Sequence, residues 1–207
     1  MSLFPPEILG VLAIWMLAVV SPGPAFLVLS QLAAGRSRAA ALGASLGIAV
    51  GATIFASLTL WGLAVVVTQI AWIGTILRIA GAVYLVYLGL TIFQHASAAG
   101  SEAASPPRGG DVVAGFRIGL LTALTNPKAI AFFLSLFAVA LPPHMPLAEK
   151  LALLTAGFII EVSWYVLVAF ALSTGWLRAR YARARATIDR VLGSGLVLVG
   201  VRLGTEK

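Results

Sequence analysis

The chain reads as an all-α polytopic membrane protein. It is expected to form six transmembrane helices as two inverted three-helix repeats, with the first helix of each repeat broken at a proline motif. Three observations predict this. The 207 residues are 60% hydrophobic and only 10% charged, with a mean hydropathy of +1.03, which is too apolar to cover a soluble domain. The apolar residues form long unbroken runs, several reaching the ~20 residues that a span requires. Two of those runs are interrupted by proline motifs at matching positions, Pro22 and Pro127.

The first apolar segment runs from about Ile8 to Ala33. Residues 1–7 carry no basic region, the run is longer than a signal peptide's, and no small-residue cleavage site follows. It is therefore expected to remain as a membrane helix. Within it, Ser21-Pro22-Gly23-Pro24 removes two backbone donors and loosens what is left, so a continuous helix cannot pass. Broken backbone at membrane depth is tolerated where it lines a cavity or is buried in protein. The carbonyls and helix N-terminal amides freed there are then open to a polar ligand. A simple packing kink is the competing reading.

Segment two spans Leu42 to Val67, with Gly43, Gly47 and Gly51 on one face, a spacing that lets helix backbones approach closely. Segment three runs from about Ile73 to Phe93 and holds Arg78 about two turns in, where snorkelling to the outer surface is expected. These three segments make a first repeat over residues 1–94. Residues 95–112, rich in Ala, Ser, Gly and Pro, read as a flexible cytoplasmic linker.

The second, inverted repeat covers residues 113–207. Its first segment, Ala114 to Leu141, carries Gly115 and Gly119 for close packing and then Thr125-Asn126-Pro127-Lys128. Pro127 breaks the helix and Asn126 can cap the half-helix that follows. Lys128 lies deep in an apolar run, where a charge costs about 2.5–3.5 kcal/mol on insertion scales, so a carboxylate partner or a wet cavity is required. The carboxylate of an amino acid would suit that position. Segment five, Leu147 to Thr174, has Glu161 near its middle. Such a group can gain and lose a proton as its surroundings alternate, as proton coupling requires, or it can be a structural partner of Lys128. Trp164 and Tyr165 follow, more as packing than as cavity wall. The sixth segment, Val191 to Leu203, has only eleven uncharged residues between Arg190 and Arg202 and must recruit its flanks to span.

Overlaying the halves with a shift of about 105 residues places Pro22 on Pro127, and a slightly larger shift places Arg78-x-x-Gly81 on Arg190-x-x-Gly193. Inverted repeats with helices broken at corresponding positions point to a transporter's binding site. Arg36, Arg38, Arg108, Arg178, Arg180, Arg183 and Arg185 fall in three alternate loops, which the positive-inside rule makes cytoplasmic, leaving both termini outside.

Several stretches, in order, resemble the LysE/RhtB family of amino-acid exporters (homoserine, threonine and leucine efflux type). They are Ser21-Pro22-Gly23-Pro24, Gly35-Arg36, the Gly43, Gly47, Gly51 series, Gly81-Ala82-Val83-Tyr84-Leu85 and Leu88-Gly89. In the second half they are Gly119, Asn126-Pro127-Lys128-Ala129 and Phe132-Phe133. The resemblance implies six spans, efflux of amino acids or close derivatives and coupling to the proton gradient, in the inner membrane of a bacterium. Two departures from the family pattern, Ala25 after the first motif and the apolar Leu136-Phe137-Ala138-Val139-Ala140, favour an apolar or small neutral substrate.

The expected substrate site is therefore Ser21, Pro22, Gly23, Pro24, Asn126, Pro127 and Lys128, with Glu161 for the proton. The partners expected are an amino acid, the proton and membrane lipid, and the glycine faces allow a homodimer. The net charge of +7 comes without a basic soluble domain, so no nucleic acid is expected. No enzyme, cofactor or metal is expected. The chain has no cysteine, its two histidines, His95 and His144, lie in or beside loops, and membrane carboxylates are scarce. Efflux of cations or heavy metals, as in related families, is the alternative function. An assembly subunit without transport would leave the paired breaks unexplained.

Overall fold

The computed structural model describes residues 5–21, 23–34, 37–69, 71–94, 111–142 and 145–205. Pro22, Gly35, Arg36, both histidines and nearly all of the linker, Arg108 included, lie outside the described residues, as do the side chains of Arg78, Arg178 and Arg185.

Eight helices and no strand are found among the described residues: α1 (Pro6–Val20), α2 (Pro24–Ala34), α3 (Arg38–Gln69), α4 (Ala71–Gln94), α5 (Val112–Leu124), α6 (Pro127–Ala140), α7 (Leu147–Ser173) and α8 (Gly175–Thr205). The first apolar segment divides into α1 and α2, which meet at an angle of 53°. The fourth divides into α5 and α6. Among the described residues, two stretches, Arg38–Gly62 and Leu147–Ser173, are long and apolar enough to cross a membrane alone, and the bent α1–α2 pair makes a third. Ile79–Gln94 and Val112–Leu124 are shorter apolar helices. The last apolar segment, expected to recruit its flanks, does lie in a longer helix. It is the C-terminal part of the 31-residue α8, which takes in the arginine-rich stretch before it. Alanines and arginines are good helix formers, so nothing in that stretch stops the helix.

Polarity is reversed relative to a soluble protein. Leu58, Val83, Leu121, Ile159 and Leu198 face outward, whereas Ser21, Ser45, Asn126, Glu161 and Asp189 are buried. An outer surface this apolar is stable against lipid. The chain is an integral membrane protein.

The glycines pack helices together. A Cβ on Gly43 would strike the backbone at Val112 and Phe116, one on Gly47 the backbone at Phe116 and Leu120, and one on Gly51 the side chain of Ala123. From the other side, Gly115 and Gly119 lie on the backbones of Ala40 and Ala44. This ascending order makes α3 and α5 parallel, so both helices start on the same side. The second close pair is antiparallel: Gly89 of α4 lies on Gly193 of α8, and Gly200 lies on Ala82 and Val86. These glycine faces, which by themselves allowed a homodimer, are occupied within the chain.

Candidate functional site

The two breaks differ in how they are closed. At the first, α1 ends at Ser21, whose amide donates to the carbonyl of Leu17 at 3.2 Å. At the second, Asn126 caps α6, its side chain accepting from the Lys128 amide at 3.1 Å while its own carbonyl accepts from the Ala129 amide at 3.1 Å. Pro127 occupies the first helical position, where a missing N–H costs nothing. The Lys128 and Ala129 amides thus have partners on Asn126. The Lys128 ammonium is a further polar group that α6 presents.

That ammonium reaches the other break. Lys128 Nζ donates to Ser21 Oγ at 3.2 Å, and the same nitrogen would lie 3.5 Å from a Cβ on Gly23. Glu161 is buried, and its Oε1 accepts from the indole Nε1 of Trp15 at 2.9 Å. The direct ion pair between Lys128 and Glu161 that the sequence suggested is thus replaced by two hydrogen bonds that both run from one half of the chain to the other. A hydroxyl and an indole N–H stabilise a charge at lower entropic cost than pairing two long side chains.

Between these bonds lies a cavity of about 60 Å³. Ser21, Gly23, Asn126, Lys128 and Glu161 all line it, together with Trp15, Tyr165, Phe132 and Phe133 and a floor that includes Ala18, Ala25, Ala52 and Ala123. Pro24 opens α2 with its ring exposed and is not part of the lining, and Pro22 lies outside the described residues. Of the two aromatics after Glu161, Tyr165 walls the cavity. Trp164 instead lies beside Phe26 and Leu167 in a separate apolar hollow.

Trp15, which lines the cavity, and Asp189, a buried carboxylate on α8, were not legible in the sequence. Trp15 lies seven residues before Pro22, among apolar neighbours that make it look like any membrane-helix tryptophan. Asp189 stands next to Arg190, at the edge of the arginine-rich stretch. In the structure it is buried on α8. An acidic residue two positions before an apolar run was the available signal. Among the described residues no group of His, Asp or Glu could hold a metal ion.

The chain can be compared with known proteins on this basis. The threonine efflux protein of Salmonella typhi is 32% identical over 190 residues, covering 91% of this chain and 92% of that protein. The threonine efflux protein of Escherichia coli K12 is 30% identical over 197 residues, covering 94% and 96%. The leucine efflux protein of Salmonella choleraesuis is 29% identical over 212 residues, covering 95% and 96%. No solved structure matches the chain. The family described as LysE type translocator matches residues 16–207, a stretch that contains both helix breaks and Ser21, Asn126, Lys128 and Glu161 of the cavity, and the chain belongs to that family.

Proposed function

We propose that the protein is a secondary active exporter of amino acids or close derivatives, coupled to proton influx and working by alternating access at a midplane site. The observation that carries this reading is that two helix breaks, 105 residues apart, meet at one cavity holding a cation and a carboxylate. An amino-acid zwitterion offers the complementary pair. Its carboxylate takes the Lys128 ammonium, and its ammonium takes Glu161 in place of the Trp15 N–H. Charge-assisted bonds of this kind are worth roughly 1.5–3 kcal/mol each, enough for selective but reversible binding.

Glu161 serves as the group that exchanges substrate amine for proton. A proton entering from outside neutralises it and releases the amine; the proton is lost on the cytoplasmic side before the next substrate binds. The inverted repeat supplies the symmetry for such a cycle. It is supported by the register of the two breaks and by the packing of α3 on α7 and of α4 on α8, the second and third helices of each half. The same reading has both termini outside the inner membrane of a bacterium and six spans. The threonine and leucine efflux relatives favour an amino acid over a metal cation, and the cavity has a single carboxylate among its lining residues.

The test is transport by purified protein in proteoliposomes. Wild type should move threonine or another small neutral amino acid when driven by a pH gradient. Glu161→Gln, which keeps size and polarity but cannot change charge, should lose this gradient-driven transport at least tenfold. Full gradient-driven transport by that variant would sink the coupling role and leave Glu161 as a partner for Trp15.

A further inference from the structure

Trp15 has an unusual seat. Its side chain is fully buried, its six-membered ring lies in the hollow left by Gly157, and its N–H reaches Glu161 one turn further along α7. A Cβ on Gly157 would overlap that ring. On its other side the indole stacks edge-on with Phe133 at 4.7 Å and 77°, and more loosely with Phe137 at 6.2 Å. The ring is therefore held by a backbone, an aromatic pair and a carboxylate, and it is the largest side chain lining a cavity otherwise floored by alanines.

The free space is small. About one water occupies each 10–15 Å³ of such volume, so the cavity has room for on the order of five waters, or roughly 150 Å³ of displaced liquid. That suits the polar end of an amino acid and a side chain of a few heavy atoms. It does not suit an aromatic one.

We infer that Trp15, seated on Gly157, is the specificity-determining residue of the cavity and limits its substrates to neutral amino acids with small side chains. This rests on the export reading above. With the carboxylate at Lys128 and the amine at Glu161, the substrate side chain is left to the apolar part of the lining, which includes the indole and several alanines. A rigid ring there excludes by volume, and one methylene of misfit in an apolar pocket is worth roughly ten- to two-hundredfold in discrimination.

The experiment is counterflow of labelled alanine, threonine, leucine and phenylalanine in proteoliposomes, with wild type, Trp15→Phe and Gly157→Ala. Wild type should prefer threonine over phenylalanine at least tenfold. Trp15→Phe keeps an aromatic ring against Phe133 but is shorter, and should raise the phenylalanine-to-threonine ratio about tenfold. Gly157→Ala pushes the indole into the cavity, and should lose threonine transport more than alanine transport. Equal wild-type transport of threonine and phenylalanine would overturn the filter without recourse to any variant. So would unchanged substrate ratios in both variants. Transport of none of the four by folded wild type would overturn the export reading, and the filter with it.

Discussion

Lys128 of α6 donates its ammonium proton to the hydroxyl of Ser21, at the end of α1, across 107 positions of sequence. This one bond ties the second helix break to the first. A cation at membrane depth is stable only with polar company, and here that company comes from the other half of the chain. The break at Ser21 frees the hydroxyl from an unbroken helical stack, and the cap at Asn126 aims the lysine toward it.

Replacing either end should therefore impair export unequally. Lys128→Met removes the charge proposed to meet the substrate carboxylate and is expected to lower initial export rates by about a hundredfold. Ser21→Ala removes one charge-assisted bond, roughly 1.5–3 kcal/mol, and is expected to cost about tenfold while leaving the site cationic. Lys128→Arg should not restore wild-type rates, since a planar guanidinium does not fit a site shaped for a compact ammonium. Rates in proteoliposomes at matched protein content decide this. Equal export by Lys128→Met and wild type would remove Lys128 from the site.

The glycine seam between α3 and α5 predicts opposite signs for two similar substitutions. A Cβ at position 47 meets the Phe116 and Leu120 backbone, which cannot rotate away. Gly47→Ala should destabilise the protein by about 1–3 kcal/mol, the usual cost of overpacking. Gly10→Ala adds a Cβ that meets nothing within 4 Å and should stabilise α1 slightly, by up to ~1 kcal/mol. Thermal unfolding in detergent, followed for both variants beside wild type, measures the difference. A Gly47→Ala protein as stable as Gly10→Ala would mean that the seam opens readily.

The arginine distribution predicts the orientation, and the parallel course of α3 and α5 requires their preceding loops to share a side. A single cysteine at Ser105 should be cytoplasmic, whereas cysteines at Ser2 and Thr205 should react with an impermeant thiol reagent on intact cells. The native chain has no cysteine to confuse the result. Labelling at position 105 but not at position 2 would reverse the orientation.

The membrane character and both helix breaks were legible because each depends on local chemistry. Run length sets a span, and proline removes a donor wherever it occurs. The packing role of Gly43, Gly47 and Gly51 was legible for the same reason, since small residues four apart always share a helix face. Partner choice was not local. Sequence placed Lys128 and Glu161 at membrane depth and suggested that they pair, but each is satisfied by a neutral donor or acceptor from the other half, Ser21 and Trp15. Whether two charges at similar depth meet depends on which faces of α6 and α7 turn toward each other, and that is decided by packing. The same holds for Trp15 and Asp189, which no motif marks. Trp15 belongs to the site because Gly157 leaves room for its ring, and Asp189 is buried on the continuous helix α8. Sequence by itself determined that the chain breaks two membrane helices at matching positions. Only the tertiary structure decided that the breaks face a shared cavity, because the groups lining it are brought together by contacts a hundred and more residues apart.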